Sequence, residues 1–71
     1  MVCIVALSSI TYAMKGEELL RTHGIPNRVV RLSPERTKKG CGYGLELDKK
    51  RLAAALQLLR AAGIPPGEVL S

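Results

Sequence analysis

The chain has 71 residues, 46% of them apolar, with no Trp or Phe and only two Tyr. A chain of this size buries only about 60% of the surface it exposes when unfolded, so residues 1–71 can build one domain around one thin, aliphatic core and no more. Eleven basic against six acidic side chains give a net charge of +5, which favours anionic partners without naming one.

The first expected element is a strand over 2–7, a continuous apolar run from Val2 to Leu7. It falls far short of the roughly 20 residues that a membrane helix needs, and no charged n-region or small-residue cleavage site accompanies it. The expected location is therefore cytoplasmic, with no membrane partner. Ser9 is placed as N-cap of a helix over 10–23, in which Ile10, Ala13, Gly16 and Leu20 share one face, with small residues where the helix presses on a sheet. Gly24-Ile25-Pro26 ends it: Gly takes the left-handed conformation, Ile folds back and Pro forbids continuation. A strand over 27–32, a loop over 33–40 and a strand over 42–47 follow. In that last strand Tyr43, Leu45 and Leu47 alternate with Gly44 and Glu46, one face under helices and the other toward solvent. Asp48 then caps a helix over 49–62. Its Leu52, Ala55, Leu56 and Leu59 follow the 3.6-residue period, while Lys49, Lys50, Gln57 and Arg60 take the wet side. Gly63-Ile64-Pro65 ends this helix too, and Pro65-Pro66 delay a short edge strand at 68–70.

Residues 19–26 and 58–65 are identical at six of eight positions, an internal repeat with an offset of 39. Each half reads as strand, helix, strand. Two right-handed β-α-β units sharing one sheet give the antiparallel order 4-1-3-2 with both helices on one face. The expected class is α+β, a two-layer ferredoxin-like β-α-β-β-α-β fold. Val5 and Leu7 are expected on the uncovered face, where they would suit a homodimer.

In that topology the third strand starts beside the end of the first, which sets Cys41 near Ser8, Ser9 and the N-terminus of the first helix. Unpaired helix amides and the positive end of the dipole favour a thiolate, as do Arg36, Lys38 and Lys39 just upstream. Gly40 and Gly42 flank the cysteine and leave the backbone open to close approach. The competing reading is a small buried apolar Cys at a strand start.

Other residues carry less chemistry. Cys3 lies five residues, about 16 Å, from the first helix, beyond the roughly 7 Å that a disulfide with Cys41 allows between Cα atoms. Its apolar neighbours place it in the core, and both thiols are expected reduced. His23 suits a helix C-cap, and no second His, Cys-x-x-Cys or acidic pair supplies a metal site. Glu17 lies near the apolar stripe of the first helix and is a second candidate. Lys49-Lys50-Arg51 opposes the local dipole and hints at an anion contact. Nucleic-acid binding is disfavoured, since the only strand aromatic, Tyr43, points toward the helices.

The first helix carries Ser9, Ala13 and Glu17 in a Ser-x-x-x-Ala-x-x-x-Glu spacing, then Leu20 and Gly24-Ile25-Pro26; Pro34 and the strand start Cys41-Gly42 follow. With these residues the chain resembles, over nearly its whole length, the small selenium/sulfur carrier-like proteins of the DUF3343 type. The resemblance implies a carrier rather than a turnover enzyme, needing no cofactor, that holds sulfur or selenium on Cys41 between a donor and an acceptor protein. Members tend to have a Pro-Arg and a Ser-rich run before the Cys-Gly, where this chain has Pro34-Glu35-Arg36-Thr37-Lys38-Lys39-Gly40. The added lysines suit an anionic persulfide or perselenide. The rival reading is a regulatory or protein-interaction module that binds an anionic ligand or partner, with Cys41 inert.

Overall fold

The computed structural model describes residues 1–32 and 42–70, so Arg36, Lys38, Lys39, Gly40 and Cys41 lie outside the described residues. The chain runs β1 (Val2–Leu7), α1 (Ile10–Thr22), β2 (Asn27–Arg31), β3 (Tyr43–Asp48), a 3-10 turn (Lys49–Arg51), α2 (Leu52–Ala61) and β4 (Val69–Leu70). The four strands form one antiparallel sheet in the order β2-β3-β1-β4, with β2 and β4 at its edges. This is the β-α-β-β-α-β plan and the strand order expected from the repeat.

α1 begins, and both helices end, as their residues dictate. The Ser9 hydroxyl accepts the Tyr12 amide at 3.2 Å; Asp48, expected to cap a helix from residue 49, instead caps the 3-10 turn through the Lys50 amide at 3.0 Å, and α2 starts only at Leu52, without a side-chain cap. At the other ends Gly24 and Gly63 both take φ of +77°, a left-handed conformation that costs glycine nothing. Ile25 N–H then donates back to Leu20 O at 2.8 Å and Ile64 N–H to Leu59 O at 2.9 Å, the six-to-one bonds of a Schellman motif. The repeated Leu-Leu-Arg-x-x-Gly-Ile-Pro thus encodes the same helix stop twice, and both isoleucines return to the core at 4% exposure.

The main core lies between sheet and helices. Cys3, Val5 and Leu7 from β1 meet Leu45 and Leu47 from β3, under Ala13 and Leu20 of α1 and Ala55 and Leu59 of α2. Leu20 and Leu59 are fully buried, each contributing about 1.5–3 kcal/mol by removal from water. Gly16 lets α1 close on the sheet: a Cβ there would stand 2.9 Å from Leu45 Cδ1 and 3.0 Å from Leu59 Cδ2. Ile10, expected on this face, is instead 40% exposed because it occupies the first helical position, at the rim of the layer.

One expectation is reversed. Val5 and Leu7 face the helices, and the open side of the sheet carries Ile4, Ala6 and Leu32, with Val30 and Leu70 packed against them. Register explains it: Val5 pairs with Leu45 and Leu7 with Tyr43, and directly opposed residues share a face. The offset of 39 aligns the helix ends but sets Val5 over Gly44, one residue out of phase in the strands. A one-residue slip moves every side chain to the other face. The second unit is shorter by that residue between its last core-facing strand position, Leu47, and its buried helical Leu59. The 3-10 turn Lys49–Arg51, wound at about 3.0 residues per turn, takes up the difference.

Candidate functional site

The end of the sheet where β1 stops and β3 starts gathers several of the expected residues. Tyr43 lies opposite Leu7, so the antiparallel register carries Gly42 toward Ser8. Gly42 accepts a 2.7 Å hydrogen bond from the Leu32 amide, which ties the start of β3 to the end of β2. Among the described residues, nothing lies within 4 Å of a Cβ added at Gly42. Ser8 is exposed and Ser9 half-buried. Ser9 turns the chain into α1, whose first turn holds no acidic residue. The free amides and positive dipole end of a thirteen-residue helix therefore face this end of the sheet unopposed from within the helix.

Ser8, Ser9 and Gly42 thus come together; Glu17 does not join them. It lies eight residues along α1 from Ser9, about 12 Å by helical rise. Its carboxylate pairs with Arg21 at 3.5 Å, and its carbonyl accepts from Asn27 Nδ2 at 3.3 Å. The carboxylate is thus paired within α1, and the backbone carbonyl ties α1 to Asn27 at the start of β2. His23 caps the helix: Nδ1 donates to the Leu19 carbonyl at 2.9 Å. Lys49, Lys50 and Arg51 form the exposed 3-10 turn at the far end of β3. Asp48 at their head has its carboxyl held below the usual range, first by the Lys50 amide and then by the nearby positive charges.

Cys3 is sealed. It pairs across the sheet with Leu47, is 1% exposed and sits among Val5, Leu45 and the helices. Burial pushes its thiol up, Lys49 opposes that and Asp48 reinforces it. A protonated, buried thiol is neither a nucleophile nor a metal ligand.

Glu68, expected to open the edge strand, and Gly67 before it also reach the Leu7 end of the sheet, which sequence reasoning did not draw. Gly67 N–H donates to Ala6 O at 2.8 Å and Ala6 N–H to Glu68 O at 2.9 Å, which brings both residues to the Leu7 end of β1. A Cβ on Gly67 would lie 2.9 Å from the Ala6 carbonyl oxygen. The signal was present in the antiparallel order itself, since a β4 entering beside β1 must start where β1 ends. Among the described residues no group of His, Cys, Asp and Glu could hold a metal ion, and no helix is long and apolar enough to cross a membrane.

A four-stranded antiparallel sheet with two helices on one face, a Ser-capped helix start near a glycine strand start at one end, and Cys3 locked in the core define a small α+β protein. A family model described as "Putative Se/S carrier protein-like" matches residues 2–71, and the chain belongs to that family. No curated protein and no solved structure matched the chain.

Proposed function

We propose that this protein carries sulfur or selenium as a persulfide or perselenide on Cys41, taking it from a donor protein and passing it to an acceptor. The observation that carries the reading is the burial of Cys3. The sequence holds two cysteines, the family is that of Se/S carrier-like chains, and the thiol at 1% exposure cannot meet a partner protein. That leaves Cys41, the residue before Gly42. The meeting of Gly42 with Ser8, Ser9 and the start of α1 supports an electropositive setting, and Arg36, Lys38 and Lys39 add charge of the same sign in the sequence just upstream.

The chemistry balances without a cofactor. The Cys41 thiolate attacks the terminal sulfur of a donor persulfide; the donor S–S bond breaks, the donor leaves as a thiolate, and a new S–S bond forms on Cys41. The acceptor thiolate repeats the exchange in reverse, taking the terminal atom and releasing the Cys41 thiolate. No net oxidation occurs, and selenium in place of the terminal sulfur follows the same course. Proton transfer asks nothing of this chain beyond a low thiol pKa. In this reading Ser8, Ser9, Gly40 and Gly42 contact the carried atom and Arg36, Lys38 and Lys39 offset its charge; the distance of Glu17 from Ser9 along α1 and its pairing with Arg21 support a scaffold role for it.

The test is transfer from a sulfane-sulfur or selenium donor in Cys41→Ser and Cys3→Ala. Loss of loading in the first with retention in the second is expected. Equal loading of both variants would discard the carrier role and favour the interaction module.

A further inference from the structure

The outer edge of β2 is unpaired among the described residues. Because the Leu32 amide bonds Gly42, antiparallel alternation directs the backbone groups of Arg28 and Val30 inward to β3 and those of Asn27, Val29 and Arg31 outward. Exposed edges are usually blunted by Pro, bulges or inward-pointing charge. The run Asn27–Arg31 has no Pro, keeps an unbroken register with β3 and centres on Val29. Beside it, Thr11, Met14, Lys15 and Glu18 of α1 line a groove with Val29, and Met14 is 61% exposed.

We propose that β2 pairs antiparallel with β2 of a second copy about a two-fold axis at Val29, joining two four-stranded sheets into one and setting the two α1 helices side by side. The register is self-complementary. Val29 meets its symmetry mate and Asn27 meets Arg31 of the second copy, each pair able to exchange two N–H···O bonds. On the open face Arg28 falls opposite Val30, so no like charges oppose each other across the junction.

The helix layer fits as well. α1 lies over β2 and β3 about equally, so its axis stands about half a strand spacing inside β2. With strands about 4.8 Å apart, the two α1 axes would lie about 10 Å from each other, the distance at which helices pack. Met14 then fills the gap it now leaves exposed. The antiparallel arrangement turns Lys15 of each helix toward Glu18 of the other. The register suits a second copy: Arg28 is already bonded to Glu46 at 2.8 Å, and the exposed Arg31 falls opposite Asn27 of the second copy rather than opposite another arginine. The opposite edge, β4, offers only Val69–Leu70.

Sedimentation equilibrium over a dilution series of the full chain tests this, with three variants. Val29→Pro removes an outward N–H and keeps the inward ladder; Met14→Lys charges the helix gap; Leu70→Lys charges the open face at the far edge of the sheet instead. Expected is a reversible dimer that Val29→Pro and Met14→Lys each weaken by at least about tenfold (~1.4 kcal/mol), while Leu70→Lys leaves it nearly unchanged. Met14→Lys decides alone if circular dichroism shows Val29→Pro unfolded. A monomer at all concentrations, or a dimer broken by Leu70→Lys as much as by Met14→Lys, overturns the proposal.

Discussion

Gly44→Ala is expected to destabilise the protein although alanine is the better strand residue. Replacing a glycine inside a strand gains about 0.5–1 kcal/mol by restricting the unfolded chain. At Gly44 the new Cβ would stand 2.7 Å from Ile4 Cγ2, 2.9 Å from the Val5 carbonyl oxygen and 3.3 Å from Leu32 Cδ1. The carbonyl belongs to the ladder between β1 and β3 and cannot retreat without loosening it, and Ile4 and Leu32 are themselves buried. Overpacking of this kind costs about 1–3 kcal/mol, so at the middle of both ranges the clash wins by about 1 kcal/mol. In a domain this small that lowers Tm by about 4–8 °C. Thermal unfolding followed by circular dichroism reads it, with Gly42→Ala as control, since nothing lies within 4 Å of a Cβ there and little change in stability is expected. Gly44→Ala melting at or above the parent would refute the packing described for the open face.

Ser9→Ala removes the acceptor of the Tyr12 amide and should cost about 1 kcal/mol in urea unfolding; an unchanged midpoint would mean that the cap adds nothing. Cys3→Ser puts a hydroxyl among Val5, Leu45 and Leu47 and should cost about 1–3 kcal/mol for an unpartnered buried polar group, with Cys3→Ala closer to the parent. The raised Cys3 thiol also has a pH signature. Its folded pKa lies above its unfolded one, so its share of stability is complete below about pH 8.5 and is lost as pH rises through the folded value. The parent should therefore lose more stability than Cys3→Ala between about pH 7 and about pH 9.5; equal losses would show that the thiol is not shielded.

How much of this was legible in the sequence depended on which signals carry phase. The helix C-termini were readable to within a residue because Gly takes the left-handed position and Pro forbids continuation, and Ser9 caps α1 as its side chain requires; the start of α2 was placed three residues early, since Asp48 caps a 3-10 turn that comes before it. In β3 the alternation of Leu45 and Leu47 with Gly44 and Glu46 fixed the buried face correctly. In β1 every residue from Val2 to Leu7 is apolar, so the pattern has no phase, and the repeat offset supplied the wrong one for Val5 and Leu7. Pairing with β3 settles it, because Cys3, Val5 and Leu7 stand opposite Leu47, Leu45 and Tyr43. The burial of Cys3 was read from its apolar neighbours, and the approach of the β3 start to Ser8 from topology. The place of Gly67 and Glu68 at the Leu7 end of β1 was not read because β4 is only two residues long and its entry is set by pairing rather than pattern.

The most direct test of the carrier account is peptide mass spectrometry of the native chain, combining the pH dependence of alkylation with exposure to a sulfane-sulfur donor. The account predicts that Cys41 alkylates with an apparent pKa below the free-thiol value of about 8.5, gains one sulfur atom that dithiothreitol removes, and leaves Cys3 unlabelled until the protein is unfolded. An ordinary or protected Cys41 without a labile adduct, or equal native labelling of Cys3, would contradict it.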